Sequence, residues 1–358
     1  MDTRRALLDA LESGPVSGPD LAEQLDVSRA AVWKHVEALR DRGFEIESGD
    51  DGYVVTDAPT YGAAAIRYGS DAPYGIEFHD AIGSTNDRAR ELAEAGRTDV
   101  AVIADEQTGG RGRLDRDWTA PSGGIYASVV IRPDLPPAHA PIVTLAAAVA
   151  ATDACRDAGV DARIKWPNDV LVPETDADRD GNDRDGDDRP EDDRDDADEG
   201  DRDDADEGDR DDTDDDDRDE NARGGAKLAG ILTEMRGEAD RVSWIVVGIG
   251  VNANVDPAAL PPGATSLRAA VGEDVDRRHV TQTLLERFHE LTTDPDSVLA
   301  EWRDRAITIG RSVRVETASG TVEGTAVDVE FPGALVLETD DGTETVLAGD
   351  CEHLRPVE

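Results

Sequence analysis

Lysine and cysteine are close to absent from this chain of 358 residues. Cys155 and Cys351 are the only cysteines, too few for a disulfide framework. With six scattered histidines they offer no ligand spacing for a structural zinc. Aromatic residues make up 4% of the chain. No apolar run approaches the roughly 18 residues of a membrane span. The first twenty residues, MDTRRALLDALESGPVSGPD, lack the apolar centre of a signal peptide. The expectation is a cytoplasmic protein with no membrane partner. Excess positive charge is missing too. Against 82 Asp and Glu stand 37 Lys and Arg, a formal net charge of -45. A chain so charged is not held to nucleic acid or anionic lipid mainly by bulk charge. At about 150 residues per domain the length suggests two or three domains.

What is present is arginine and acid. Only Lys34, Lys165 and Lys227 are lysines. A large like-charge excess strains a compact chain by self-repulsion, which concentrated salt screens. The composition therefore reads as that of a halophilic, salt-rich cytosol; high-GC codon bias explains the missing lysine but less readily the surplus acid. Residues 174–220 hold 29 acidic and 7 basic side chains, with RDDADEGD repeated in tandem from Arg194 to Asp209. With almost nothing apolar to bury, 174–222 is expected to be a disordered acidic insertion. Lengthening a ~6-residue loop to this size costs about 2 kcal/mol of closure entropy. A solvated surface insertion is the plainer reading, an interaction tail the other.

Outside the insertion three blocks appear. Residues 1–58 are helical and end in the hairpin-like ESGDDGYVV. Residues 62–305 alternate apolar strands (DVAVIADE, GIYASVVI, RIKWPNDVLV, KLAGILTEM, RVSWIVVGIGVN) with the helical PIVTLAAAVAATDACRDAG and DRRHVTQTLLERFHEL. Residues 306–358 are short strands broken by ASG and DDG turns, which suggests a small barrel. In the first block Leu7, Leu8 and Leu11 line one helix face. Ser28 caps a helix whose Val32, Val36 and Leu39 fall at core spacing, with Arg29, Trp33 and Lys34 on the outer face. Two helices, a tight turn and base-reaching side chains early in the second helix point to a helix-turn-helix, with Phe44–Thr56 as the wing. The block carries 12 acidic and 6 basic residues through Thr56, so a protein-docking module is the competing reading.

Four motifs carry the chemistry. Gln107-Thr-Gly-Gly-Arg111-Gly112-Arg113 follows a strand: its glycines permit close backbone approach and its arginines are forked donors for phosphate or carboxylate. The competing reading is a mobile glycine-rich loop. Arg163-Ile-Lys165-Trp-Pro-Asn168-Asp169 sets a rare lysine beside a proline inside an apolar strand, which implies an edge or a bulge near a site; a β-turn with a snorkelling lysine competes. Gly248-Ile-Gly-Val-Asn252 ends an apolar strand, so Asn252 either approaches metal-bound phosphate or shapes a turn. Ser84-Thr85-Asn86 precedes a helix, either as its cap or as donors to a polar ligand head.

In this order GSTN, QTGGRGR, KWPNDV, KLAGIL and GIGVN resemble the biotin–protein ligases, specifically the bifunctional kind that doubles as a biotin operon repressor. The resemblance spans nearly the whole chain except the insertion, and the KWPND–GRGR pair is its most specific part. It implies an α+β chain: a winged helix-turn-helix, a mixed α/β class II synthetase-like ligase domain and an SH3-like C-terminal barrel. It implies formation of biotinyl-5′-AMP from biotin and ATP with Mg²⁺, then transfer of biotin to a lysine of a biotin carboxyl carrier protein. By motif match Ser84, Thr85, Asn86 and Gln107 would hold the biotin head. Arg111, Gly112 and Arg113 would form the loop over the adenylate, and Lys165 would meet both the biotin carboxylate and the α-phosphate. Arg113, Arg116, Lys165, Asn168, Asp169 and Asn252 would serve ATP and its phosphates, with Mg²⁺ near Asn252. Lys165, Arg111 and Arg113 form the implied catalytic set. Ser28, Arg29, Trp33 and Lys34 would face operator DNA, and a homodimer is implied as well. Asp115 stands where the family loop carries glycine. The rivals are a ligand-sensing transcription factor without ligase activity and a lipoate–protein ligase.

Overall fold

The computed structural model describes residues 3–12, 14–113, 116–174, 224–238 and 240–354. The expectation of disorder in the acidic insertion lies outside them, as does Asp115.

The N-terminal unit contains α1 (Thr3–Glu12), α2 (Gly18–Gln24), α3 (Arg29–Arg40) and a hairpin of β1 (Glu45–Gly49) and β2 (Gly52–Asp57). Ser17 and Ser28 cap α2 and α3 by accepting from Asp20 N and Ala31 N, which satisfies first-turn amides that have no helical partner. Leu7, Leu11, Leu21, Val36 and Leu39 close a separate small core, joined by Phe44 and Ile46 from the hairpin. Arg29, Trp33 and Lys34 remain on the exposed face of α3.

The central unit is a seven-stranded sheet ordered β3-β4-β5-β9-β8-β7-β6. The strands are β3 (Gly75–Ile82), β4 (Val100–Gln107), β5 (Ile125–Ile131), β6 (Arg163–Lys165), β7 (Asp169–Pro173), β8 (Gly225–Gly237) and β9 (Val242–Val251). Only β3 and β4 run parallel, because α5 (Thr85–Glu94) carries the chain over between them. A short α4 (Ala63–Arg67) leads into this unit. On the sheet packs α6 (Pro141–Asp157), and α8 (Arg277–Thr293) and α9 (Val298–Arg305) pack against α6, with a short α7 (Leu267–Val271) after β9. One helix departs from the expectation that no apolar stretch reaches the length of a membrane span. The helical stretch Pro137–Asp157 is long and apolar enough to cross a membrane by length and composition. Its alanines instead let it sit deep in the core, and 72% of its most apolar window is buried.

The stretch RIKWPNDVLV departs from the single strand expected of it. It is not one strand but two, β6 and β7, paired Arg163↔Leu171 through Lys165↔Asp169 across a Trp166-Pro167-Asn168 turn. Proline cannot donate to a ladder, and here it turns the chain instead of bulging it. β7 and β8 pair out to Pro173↔Gly225 although the insertion separates them in sequence.

The C-terminal unit is a five-stranded antiparallel sheet: β10 (Ser312–Thr317), β11 (Gly320–Glu330), β12 (Ala334–Thr339), β13 (Gly342–Val346) and β14 (Asp350–His353). β14 returns to pair with β10. Its Val313, Val315, Leu335 and Leu337 belong to the same buried cluster as the central sheet, so the two units share one core.

Candidate active site

The sheet, the loop after β4 and the edge of β14 enclose a cavity of about 780 Å³. Its floor is polar. Ser84 caps α5, its hydroxyl accepting from Asp87 N at 3.3 Å. Thr85 N and Thr85 Oγ1 both donate to Gln107 Oε1, at 2.8 and 2.9 Å. With Oε1 occupied twice, Gln107 presents its Nε2 donors to the cavity it lines. Asn86 is held from both ends: Nδ2 donates to Glu234 Oε2 at 3.1 Å, and Oδ1 lies 2.6 Å from the Ser128 hydroxyl. Ser128 Oγ also lies 2.7 Å from Thr85 Oγ1. Asn86 thus braces the floor from beneath and has its amide spent within the protein.

The loop after β4 folds back on itself. Gln107 N donates to Ala120 O, Trp118 N to Gly110 O and Gly112 N to Arg116 O. Such pairing gives the glycine-rich run a defined shape. Trp118 packs closely over two glycines of the sheet: a Cβ on Gly230 or Gly250 would stand 3.0–3.1 Å from the indole and press it outward. Lys227 completes this wall, its Nζ 5.2 Å from the Trp118 ring centroid and 2.7 Å from Asp169 Oδ1.

The two loop arginines diverge. Arg113 reaches inward, donating to Asn168 Oδ1 at 3.0 Å and to Gly349 O at 2.7 Å. Arg111 instead pairs with Asp87 at the start of α5 and is 41% exposed. Arg116 pairs with Asp350 at 2.6 Å on the rim. Asn168 is structural as well as proximal: its Nδ2 donates to Ile231 O at 2.8 Å, clipping the β6–β7 turn to β8. Lys165 lines the cavity and is 8% exposed. Its charge reaches two side chains of β14. It draws the Cys351 thiol down, although burial prevails and pushes that thiol up to about 12. Burial first, then Lys165 and Arg311, bring the His353 imidazole down to about 3.

Asn252 is 2% exposed at the end of β9. Its Nδ2 donates to Thr265 O at 3.0 Å, while its Oδ1 is buried with no hydrogen-bond partner among the described residues. No group of three or more His, Cys, Asp or Glu converges on a metal position among those residues. A single orphaned carbonyl oxygen suits Mg²⁺ that keeps most of its ligands as phosphate oxygens and water.

The cavity therefore joins an amide-and-hydroxyl floor, an indole wall and a cationic side carrying Lys165, Lys227 and Arg113. It suits a ligand with a polar head, an apolar body and an anionic tail. Ser128 and Trp118 escape sequence reasoning. Ser128 is one hydroxyl in an apolar strand, and Trp118 follows its motif by five residues with no spacing to flag it. Both become readable only once β5, β8 and β9 lie side by side.

Residues 80–252 match the biotin/lipoate A/B protein ligase family, residues 308–354 the biotin protein ligase C-terminal domain and residues 3–54 an HTH domain. The chain is 33% identical over 356 residues to the bifunctional ligase/repressor BirA of Bacillus subtilis, covering 94% of this chain and 93% of that protein. It is 31% identical over 286 residues to the biotin–[acetyl-CoA-carboxylase] ligase of Mycobacterium tuberculosis, covering 76% and 86%. Its fold is similar to that of the biotin protein ligase of Aquifex aeolicus, solved with biotin and ATP, at a TM-score of 0.55 and 22% identity over 78% of this chain and 99% of that one.

Proposed function

The chain belongs to the biotin/lipoate A/B protein ligase family, and from that premise we propose how its cavity works as a biotin–protein ligase joined to a DNA-binding repressor module. Biotin and ATP are its substrates. The biotin carboxylate attacks the α-phosphorus of ATP, biotinyl-5′-AMP forms and pyrophosphate leaves. The target lysine of a biotin carboxyl carrier protein then attacks the activated carbonyl, and AMP leaves.

In this reading Gln107 Nε2 donates to the ureido oxygen of biotin, with Thr85 and Asn86 bracing it and Ser84 beside it. Trp118 covers the apolar body of the ligand. Lys165 and Arg113 meet the carboxylate and α-phosphate, where charge builds during attack, in a site sheltered from water. Asn168 holds Arg113 there, and Asp169 holds Lys227. Arg111, Gly112 and Arg116 belong to the covering loop, which shields an easily hydrolysed adenylate. Arg111 leaves Asp87 when that loop closes over ligand. Asn252, through its unpartnered Oδ1, would help hold a Mg²⁺ ion, which when bound would supply positive charge against the pyrophosphate.

The observation that carries this reading is the convergence of Lys165, Arg113 and Gln107, from three separate motifs, on one cavity. Ser28 sets the start of α3, and Arg29, Trp33 and Lys34 are proposed to face operator DNA. A homodimer and a cytoplasmic location complete the proposal. Its test is biotin-dependent pyrophosphate release from ATP and Mg²⁺ in molar KCl. Wild type should release it, and Lys165→Ala should lose about 10²–10³-fold in kcat. No release from folded wild type that still binds biotin would turn the assignment to a sensor without catalysis.

A further inference from the structure

Lys165 is the last residue of β6, yet its backbone neighbours are held largely by the C-terminal segment. Ile164 O accepts from Ile307 N at 2.8 Å. Trp166 N donates to Thr308 Oγ1 at 2.9 Å, and the Trp166 indole donates to Gly333 O at 3.0 Å. Thr308 in turn lies 3.1 Å from His353 Nε2. Thr308 is fully buried and His353 is 4% exposed.

An imidazole is a costly choice for this place. It sits among apolar strands beside the cations of Lys165 and Arg311, and its Nδ1 has no hydrogen-bond partner among the described residues. A leucine would fill similar space without an orphaned nitrogen. The return for the imidazole is at Nε2. It anchors the Thr308 side chain so that Oγ1 stays against the Trp166 N–H. Were that side chain to turn away, the amide following Lys165 would lose its partner in a buried turn.

We propose that Thr308 and His353 are positioning residues for adenylation, a buried pair through which the C-terminal sheet fixes the backbone beside Lys165 and so the reach of its ammonium into the cavity. The proposal rests on the ligase reading above. Neither residue lines the cavity; both act through Trp166. A displacement of the lysine by about 1 Å is enough to cost on the order of a hundredfold in rate. The effect should fall on kcat, because the biotin head is held by α5 and β4, on the other side of the sheet's centre.

The test uses the full-length protein and four variants: Thr308→Val, Thr308→Ser, His353→Leu and the Val/Leu double. Steady-state pyrophosphate release gives kcat and the biotin KM, and thermal melting with circular dichroism reports folding. Thr308→Val keeps the side-chain shape, so it carries the test even where His353→Leu costs folding. The expected result is a kcat lower by about tenfold or more in Thr308→Val and His353→Leu, with biotin KM within about threefold. Thr308→Ser should stay near wild type, and the double should be no worse than the weaker single. Folded variants with wild-type kcat, or a loss that Ser does not rescue, would overturn the proposal alone. A wild type that releases no pyrophosphate overturns the ligase reading and this proposal with it.

Discussion

Ser128 has no exposed surface and stands beneath the first turn of α5, its hydroxyl between Thr85 and Asn86. Removing it leaves Asn86 Oδ1 without its buried donor and loosens the residue that presents Gln107. Unsatisfied buried groups cost about 1–3 kcal/mol. Ser128→Ala should therefore raise the biotin KM by about tenfold while kcat stays within about threefold; steady-state kinetics with varied biotin decide it. His353 gives a prediction in pH. Its folded-state value lies near 3 against an ordinary 6.5, so between those values the unfolded chain binds the proton and the folded one does not. Stability is thus full above about pH 6.5 and falls as pH drops towards 3, by at most about 1.4 kcal/mol per unit. Urea unfolding of His353→Gln should show a shallower acid loss than wild type across pH 6 to 4. At this scale legibility followed chemistry. Lys165 stood out because lysine is rare in the chain, whereas Ser128 and Thr308 are ordinary residues made special by neighbours far away in sequence.

Elements were legible where their period was strong. The apolar runs of β4, β5, β8 and β9 and the long α6 and α8 are read directly from the pattern. β3 was missed because GIEFHDAI mixes polar and apolar positions on a sheet edge. The β6–β7 hairpin was misread because apolar residues on both sides of Trp166-Pro167-Asn168 hid the turn. The helices behind the sheet are tied by a polar device that no helical period reveals. Asp153 on α6 accepts from Arg287 on α8 and from Arg305 on α9, at 3.1 and 2.6 Å, and is 17% exposed. Largely buried pairs are weakly screened and costly to break. Asp153→Ala should destabilise by about 2–3 kcal/mol, and the loss should persist in molar KCl. Glu323→Ala, which breaks an exposed pair with Arg314, should leave stability nearly unchanged. Equal losses in the two variants would refute this ranking.

For the whole molecule, the three-block layout was readable because composition and period change at the block edges. The shared core of the central and C-terminal units was not, since it depends on which strand faces meet. The charge, by contrast, is legible from sequence alone. About half of the net -45 lies in the 174–220 segment, which enters the fold between β7 and β8. Those strands pair right up to the segment, at Pro173↔Gly225, so the cavity's framework closes without it. The remaining charge still repels itself, and salt screens that repulsion over a Debye length that shrinks to about 3 Å at 1 M. Deleting 176–220 should then have two separable effects. Adenylation in molar KCl should stay within about twofold of wild type, because the ligand floor, Lys165 and the Thr308–His353 pair are all intact. The KCl concentration at which the fold half-forms should move down, because less like charge needs screening. A melting series across KCl, run alongside pyrophosphate release, reads both. A large loss of adenylation in folded protein would mean that the segment takes part in the site, and an unchanged salt requirement would mean that the acid which matters is spread over the folded surface.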